Sequence, residues 1–423
     1  MKKIAYLFFT VTLLVGCSKD DGSFVEEEPQ QEVPEDPEEP DEPEEPTGED
    51  IQGYYPEPDE TASYMVDPDA TSETVALFYN LKINSKTDFL VGQQDAFNAF
   101  YANAGGDSDI KKLTGSDPAL LGSDFMFITD DNNNGDANNF FYQQEVQITG
   151  DAIEAYNKGM VNIFCWHLRE PYEGDEFYTS AMSEFQKANA FKSILPEGIN
   201  HDYYKQKLQK VAEVAKSLIG SDGTLSPIIF RPFHEFDGDF FWWGAAYSTP
   251  EEFKTVWRFT VEYLRDELDV HNILYAYAPD NSYSTKSAYM NRYPGDEYVD
   301  IMGMDNYGDL SPQDGSRIDL ANAKLKVVSD LALEHVKIAA LSETGYFVDA
   351  DNQLGSEFYS TNLYNVLTNN NVQVGFMMFW QNSNDNYTVP VPGVSGDADF
   401  LSFIEKEKTT LLNELPDMYT MPN

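Results

Sequence analysis

Eight short apolar runs separated by helical patterns are the feature that most constrains how this sequence folds. The runs recur roughly every 40 residues, and they lack the apolar–polar alternation of a half-exposed sheet. Strands that are buried on both faces and separated by helices are typical of a parallel sheet. We therefore predict an α/β fold, a (β/α)₈ TIM barrel with inserted loops. The predicted strands are residues 89–92, 120–127, 160–166, 227–233, 273–278, 299–304, 337–341 and 374–380.

Two of the intervening segments carry explicit helix signals. Leu208, Val211, Ala215 and Leu218 share one face at helical spacing, and a helix is expected to stop at the following glycine. Residues 249–252 (TPEE) form a capping box with proline at the first helical position. An open, doubly wound sheet is the alternative fold. It is disfavoured because no GxGxxG or P-loop motif follows a predicted strand.

The N-terminus predicts export and a lipid anchor. Lys2 and Lys3 precede an apolar run, residues 4–16, which is shorter than the ~20 residues that span a bilayer. The run ends in the sequence LVGC, which resembles a bacterial lipobox, so residues 1–17 are expected to be a lipoprotein signal peptide with Cys17 as the lipidated residue. Residues 18–21 (SKDD) resemble the acidic export tag of Bacteroidetes surface lipoproteins. We expect a cell-envelope, outer-membrane lipoprotein on the outer surface, with the periplasmic face as the alternative.

Residues 18–60 are acidic and rich in proline, a composition typical of a disordered, extended linker. The domain that carries the activity is therefore expected to span residues 61–423. The chain has a net charge of −46, which disfavours nucleic acid and an anionic membrane surface as partners. A neutral sugar polymer fits better. Membrane contact is expected through the lipid alone, and nothing in the sequence indicates more than a monomer.

Cysteine usage and acidic clusters give no indication of a metal or cofactor. Once Cys17 is acylated, Cys165 is the single remaining cysteine, so neither an intrachain disulfide nor a cysteine-based metal site is expected. Residues 130–136 (DDNNNGD) resemble a calcium loop in composition, but the glutamate that closes such a loop is missing. We interpret this stretch as a polar surface loop.

Two glutamates stand where predicted strands end. Arg231, His234 and Glu235 follow the fourth apolar run, and Glu343 follows the seventh. In a closed barrel these strand ends face each other across the mouth, where such folds place their chemistry. Two opposed carboxylates are what glycosidic cleavage requires, one protonated and one ionised. Ion pairing at the barrel rim is the alternative interpretation of the same two residues.

The surrounding motifs extend this interpretation. Residues 231–244 (RPFHEFDGDFFWWG) and 341–346 (LSETGY) resemble glycoside hydrolase family 26, whose best-known members are β-1,4-mannanases, and the resemblance spans roughly residues 70–415. It implies a retaining endo-β-1,4-mannanase that hydrolyses mannan, galactomannan or glucomannan without a cofactor. Glu235 would be the acid/base and Glu343 the nucleophile.

The resemblance also implies roles for other strand-end residues. Arg231 and His234 would position the carboxylates, and His167 would contact the sugar at the cleavage subsite. Asp305 and Tyr307 would bind sugar and hydrogen-bond the nucleophile, and Trp380 would be the platform beneath that sugar. These are the implied substrate-binding residues, together with Phe240.

Two positions depart from the family pattern. Phe236 stands where asparagine often follows the acid/base, and Phe240 stands where tryptophan is common. Phe240 keeps a face for stacking but lacks the indole donor. At least two of the four aromatic residues 240–243 are expected in the core. Trp166 and Trp257 are interpreted as packing residues, and His201, His271 and His335 as structural.

Two other functions remain open at this point. The same fold and mechanism would serve mixed-linkage β-glucan or β-1,3-xylan, because no residue pattern distinguishes these polymers from mannan. A non-catalytic surface glycan-binding lipoprotein would be expected to have lost a carboxylate, whereas both Glu235 and Glu343 are present.

Overall fold

The computed structural model describes residues 53–98, 107–311 and 314–422. Cys17, the signal peptide and most of the predicted linker lie outside this range. Eight parallel strands close into a barrel, since β1 pairs with both β2 and β8, and a short ninth strand pairs with β1. The predicted (β/α)₈ barrel is confirmed. The strands are β1 Phe89–Gln94, β2 Leu120–Asp124, β3 Val161–Cys165, β4 Ile228–Arg231, β5 Ile273–Tyr277, β6 Ile301–Asp305, β7 Ile338–Thr344, β8 Phe376–Phe379 and β9 Thr409–Thr410.

Helices surround the barrel, and the two that carried sequence signals form as predicted. Thr249 caps α6: its hydroxyl accepts a hydrogen bond from the Glu252 amide at 3.2 Å, and the Glu252 carboxylate accepts one from the Thr249 amide at 2.8 Å. Helix α5 ends at Ser217, slightly before the predicted stop. The α-helices are α1 Ser72–Asn84, α2 Asp109–Thr114, α3 Phe140–Asn157, α4 Glu184–Ser193, α5 His201–Ser217, α6 Pro250–Glu262, α7 Lys286–Met290, α8 Ile318–Glu334, α9 Tyr364–Thr368 and α10 Asp397–Ile404.

The strands bury both faces, and alternate residues belong to two different cores. In β4, Ile229 joins the cluster that fills the barrel, whereas Ile228 and Phe230 join the larger cluster between strands and helices. The same alternation in the other strands explains why their sequences are apolar without a polar face. It also fixes which residue at each strand end points into the barrel mouth.

The folded part begins before residue 61. Residues 53–60 are described by the structure, and there Tyr55 donates a hydrogen bond to Gln373 while Pro56 is buried. These last residues of the predicted linker therefore pack against the barrel. In the described ranges, no helix combines the length and the apolarity that crossing a bilayer requires.

Candidate active site

The candidate site is the layer of side chains at the carboxyl end of the barrel. Alternate residues of each strand point into the barrel, in step with the residues that fill it. By this alternation the last residues of three strands face inward: Asp124 in β2, Arg231 in β4 and Asp305 in β6. The strand register aligns Asp124 with Cys165 and Cys165 with Arg231, so residues of neighbouring strands meet at one level. This level corresponds to the face where barrel enzymes collect their functional groups.

The backbone after β4 has an unusual conformation that orients Glu235. Phe233 and Glu235 adopt left-handed conformations with φ of 50° and 52°, which non-glycine residues seldom do. Two hydrogen bonds hold the turn: the Glu235 amide donates to the Ala278 carbonyl at 2.9 Å, and the Trp243 indole donates to the His234 carbonyl at 2.7 Å. Strain of this kind persists only where surrounding structure imposes it, which is common at active sites.

A β-bulge at the end of β7 turns Glu343 into the barrel. The register of β7 against β6 shifts so that Met304 pairs with Leu341 but Asp305 pairs with Glu343. The extra residue, Ser342, donates to Asp305 at 2.6 Å, while Glu343 also faces the interior. A bulge allows two consecutive side chains to point the same way, which a regular strand forbids.

Arg231 joins the two carboxylates of this layer. Its guanidinium donates from one nitrogen to Asp305 and from the other to Glu343, and all three side chains are buried. The Tyr307 hydroxyl donates to the second oxygen of Glu343 at 2.9 Å. Both oxygens of Glu343 therefore accept hydrogen bonds, and these two contacts fix the orientation of the carboxylate.

Glu235 has the opposite environment. One carboxylate oxygen from each of Glu235, Asp305 and Glu343 lies within 4.8 Å of the others. Burial first, and then the nearby carboxylates of Glu343 and Asp305, raise the pKa of Glu235 well above its usual value. Burial also raises the pKa of Asp305, where the Arg231 guanidinium opposes the rise. Glu235 has no such ion pair, so it is the carboxyl of the layer suited to carry a proton, as an acid catalyst must.

Two histidines lie beside these carboxyls. The Nε2 atoms of His167 and His234 are 3.3 Å apart, and the Asp124 carboxylate lies 2.6 Å from Nδ1 of His167. Burial, together with the positive charge of Arg231, lowers the pKa of His234 well below its usual value, so this ring is neutral. Trp380 borders His167, with ring centroids 5.9 Å apart, and is partly exposed.

The aromatic run after Glu235 is mainly core. Phe241, Trp242 and Trp243 are fully buried, which agrees with the expectation that at least two of the four residues belong to the core. Phe240 alone of the four is partly exposed, and its ring contacts Phe241 with centroids 4.7 Å apart. Phe236 is buried against Phe253 and Tyr277, so it faces away from the carboxyl layer.

The residues predicted to be structural are buried or hydrogen-bonded outside the carboxyl layer. Trp166 and Trp257 are buried. His201 contacts the Ile194 carbonyl, and His271 and His335 contact aspartates. Cys165 is a buried free thiol. In the loop 130–136, one oxygen of Asp130 accepts hydrogen bonds from Asn132 and the other forms an ion pair with Arg169, so both oxygens have partners within the protein.

Sequence reasoning missed two residues of the site. Asp124 could have been found, because it occupies the last inward position of β2 and inward strand-end residues form the mouth. Tyr178 gave no comparable signal, since it lies in the long connection after β3. The residue is 46% exposed, and its ring stacks on Phe241 with centroids 5.2 Å apart. Partial burial and the negative charges of Glu235 and Glu343 raise the pKa of Tyr178 to about 12.

Two clusters in the described part of the chain have the geometry to bind a cation. They are Glu235 with Asp305 and Glu343, and Asp124 with Cys165 and His167. In the first, the guanidinium of Arg231 already supplies the positive charge. In the second, the Asp124 carboxylate is hydrogen-bonded to the His167 ring. Neither cluster requires a metal to explain its charge balance.

A closed parallel barrel with a pair of carboxyl groups at its mouth is an arrangement that glycoside hydrolases use. One oxygen of Glu235 and one of Glu343 lie within 4.8 Å of each other. Retaining enzymes hold their two carboxyl groups ~5–5.5 Å apart, whereas inverting enzymes need ~6.5–9.5 Å to admit a water molecule, so this close approach favours a retaining mechanism.

Comparisons with known proteins identify the family. The model of glycosyl hydrolase family 26 matches residues 66–353. The structure of GH26C from a Muricauda species is similar, with 59% identity, a TM-score of 0.86, and coverage of 87% of this chain and 99% of that chain. An endo-β-1,4-mannanase from Cellulomonas fimi has 31% identity and a TM-score of 0.75 over 84% of this chain and 79% of its own. The chain therefore belongs to glycoside hydrolase family 26.

The matches to curated relatives cover only part of those proteins. A mannan endo-1,4-β-mannosidase from Bifidobacterium adolescentis is 33% identical over 374 residues, which cover 82% of this chain and 35% of that relative. Another, from Bacillus subtilis, is 25% identical over 47% of this chain and 52% of its own length. The chain thus spans about a third and about half of these two proteins.

Proposed function

We propose that this protein is a retaining endo-β-1,4-mannanase that hydrolyses mannan, galactomannan or glucomannan. The observation that carries the chemistry is the pairing of a carboxyl with a raised pKa, Glu235, and a hydrogen-bonded carboxylate, Glu343, with oxygens within 4.8 Å. Support for the substrate comes from the relatives from Bifidobacterium adolescentis and Cellulomonas fimi, which are named as mannanases.

In the first half of the reaction, a Glu343 oxygen attacks the anomeric carbon while Glu235 gives its proton to the departing glycosidic oxygen. The C–O bond to the leaving sugar breaks as an ester bond to Glu343 forms. Arg231 and Tyr307 hold the attacking carboxylate in place, and the burial that keeps Glu235 protonated makes it available as an acid.

In the second half, Glu235 is ionised and acts as the base. It takes a proton from water as the water oxygen attacks the anomeric carbon, and the ester bond to Glu343 breaks. The loss of negative charge from Glu343 in the intermediate removes one of the groups that raise the pKa of Glu235, so deprotonation is favoured at this stage.

The neighbouring side chains would hold the sugar at the point of cleavage. His167 and Trp380 lie edge to face at one side of the layer, where the imidazole can contact the sugar and the indole can stack on a sugar face. On the other side, Tyr307 donates a hydrogen bond directly to Glu343, and Asp305 holds Arg231, which contacts Glu343 in turn. Phe240 and Tyr178 are partly exposed and supply further aromatic surface.

Reducing-sugar release from galactomannan, glucomannan and mixed-linkage β-glucan tests the proposal, with Glu343→Ala as the inactive control. We expect activity on the two mannans and its loss in the variant. Activity restricted to mixed-linkage β-glucan, or to β-1,3-xylan in a further assay, would retain the mechanism and refute the substrate. Binding of these polymers without hydrolysis would support a glycan-binding lipoprotein instead.

We further propose that acylation of Cys17 anchors the enzyme in the outer membrane, with residues 18–52 as a spacer. The support is the lipobox-like sequence LVGC and the acidic, proline-rich composition that follows it. Metabolic labelling with a palmitate analogue tests the anchor: we expect label on the wild type and none on Cys17→Ala. Protease treatment of intact cells distinguishes the outer surface, where the enzyme is degraded, from the periplasmic face, where it is protected.

A further inference from the structure

Asp124 is held in one orientation by the backbone around it. Its Oδ1 atom accepts hydrogen bonds from the amide of Met126 at 2.8 Å and from the amide of His167 at 3.1 Å. Its Oδ2 atom is left for the His167 ring, at 2.6 Å from Nδ1. The two oxygens therefore have separate functions, and the one that faces the ring cannot rotate away without breaking two backbone hydrogen bonds.

This contact decides where His167 carries its proton. A carboxylate only accepts hydrogen bonds, so Nδ1 of His167 must be the protonated nitrogen. The ring's other nitrogen, Nε2, lies 3.3 Å from Nε2 of His234. Two nitrogens at this distance form a hydrogen bond if one carries a proton and the other a lone pair.

His234 supplies that proton. The ring is 1% exposed and its lowered pKa keeps it neutral, so it carries one N–H. Its Nδ1 atom is buried without a hydrogen-bond partner among the described residues, whereas its Nε2 atom faces His167. An N–H placed on Nδ1 would be buried and unsatisfied, so the favoured arrangement has His234 donating from Nε2 to the lone pair on Nε2 of His167.

We propose that Asp124 is a positioning residue for catalysis: through the chain Asp124–His167–His234 it fixes the tautomer and orientation of both histidines beside Glu235. The chain runs across three neighbouring strand ends, β2, β3 and β4, and His234 immediately precedes Glu235 in the sequence. Asp124 itself contacts the reacting groups only through His167.

Asp124→Asn is a sharp test because the structure decides how the amide orients. The two backbone amides retain the side-chain oxygen, so the NH₂ group takes the position of Oδ2 and donates toward Nδ1 of His167. Nδ1 must then give up its proton, and Nε2 carries it instead. Two N–H groups would face each other between the histidines, and the contact breaks. A similar isosteric change in a serine-protease triad inverts the tautomer and lowers kcat by about 10⁴-fold.

Nitrogen-15 NMR of histidine-labelled protein measures the tautomers directly, and five histidines give few signals to assign. A His167→Gln variant identifies the resonances of His167. In the wild type we expect His167 to carry its proton on Nδ1 and His234 to carry its proton on Nε2, and we expect Asp124→Asn to move the His167 proton to Nε2. A wild-type His167 protonated on Nε2 alone, or on both nitrogens, would overturn the proposal.

Kinetics with defined manno-oligosaccharides show whether the contact serves catalysis. We expect Asp124→Asn to lower kcat/KM by about 10–100-fold, as removal of an outer orienting partner does elsewhere. In a His167→Ala background the same change should have less than about a twofold effect, since Asp124 then has nothing to orient. A loss that persists in that background would show a purely structural role and refute the proposal.

Asp95→Asn, assayed at pH 8, is the matched control for charge, because burial and the Asp124 carboxylate raise the pKa of Asp95 to about 7 and the carboxyl is ionised above that pH. Asp95 is a second carboxyl close enough to interact electrostatically with Asp124 and His167. If removal of this charge lowers kcat/KM as much as Asp124→Asn does, then charge rather than the hydrogen bond is responsible, and the positioning role is wrong. We expect the effect of Asp95→Asn to be at least several-fold smaller.

Discussion

Replacement of Arg231 by methionine should destabilise the protein strongly and in a pH-dependent way. The guanidinium is 3% exposed and joins Asp305 and Glu343, whose side chains are 0% and 8% exposed. Methionine keeps most of the aliphatic volume but leaves two buried carboxylates without a counter-charge. Removal of one partner from a buried ion pair costs about 3–5 kcal/mol. In a domain of this size, each kcal/mol of lost stability lowers Tm by about 2 °C, so Tm should fall by about 6–10 °C at pH 8.

The pH dependence follows from Asp305. Burial raises the pKa of this carboxyl, and Arg231 opposes the rise, so its pKa in the folded variant should lie further above the unfolded value. A group with a raised folded pKa adds stability below the unfolded pKa and loses it as pH rises through the folded pKa. The penalty of Arg231→Met should therefore be largest at high pH and should shrink as the pH falls toward 5.

Differential scanning calorimetry of the wild type and variant from pH 5 to pH 8 makes the measurement. Arg258→Met is the matched control, because Arg258 is exposed and forms no ion pair among the described residues: it donates to the Pro294 carbonyl and lies over the Tyr298 ring. Its cost should be within ~1 kcal/mol. The double variant Arg231→Met/Asp305→Asn should recover part of the lost stability. A Tm difference that is small, or that does not change with pH, would refute the buried-charge account of this layer.

Three further outcomes are expected. Glu343→Gln should lower the pKa of Glu235, because it removes a neighbouring negative charge that raises this pKa; carboxyl carbon-13 NMR measures the shift, and an unchanged pKa would contradict the coupling. In the wild type, kcat/KM should fall as pH rises through the pKa of Glu235. A pH profile that shows no such fall on its alkaline side would contradict the role of Glu235 as the acid. Thr249→Ala should destabilise the fold by about 1 kcal/mol in denaturant titration, because it removes the capping box of α6; no change would mean that the cap is redundant.

The strand order and the position of the acidic pair could be predicted because they depend on periodic features. Buried apolar runs separated by helices lead to a parallel barrel, and closure brings the ends of β4 and β7 into one mouth. Glu235 and Glu343 were therefore accessible from the sequence, and family motifs assigned expected roles to them. The strand ends predicted from the apolar runs differ from the observed ends by a few residues. One reason is that polar residues that face into the barrel, such as Asp305 in β6, still belong to the strand.

Other features depend on tertiary context that leaves no local signal. The bulge at Ser342 inserts one residue into the β6–β7 pairing, yet nothing in the sequence LSETGY indicates it. Phe233 and Glu235 are non-glycine residues with positive φ, which sequence preference opposes and packing imposes. The contact of Tyr178 with Phe241 joins two loops, and loop geometry is not encoded in a periodic pattern.

Trapping of the glycosyl–enzyme intermediate identifies the residue that attacks the sugar. A 2-deoxy-2-fluoro-β-mannoside with a dinitrophenolate leaving group forms an ester with the nucleophile, releases dinitrophenolate, and hydrolyses slowly because the fluorine destabilises the transition state. Proteolysis and mass spectrometry then locate the label. The account predicts one label per chain, on Glu343, and none in Glu343→Gln. A label on Glu235 or Asp305, or turnover of mannan with inversion at the anomeric carbon, would contradict it.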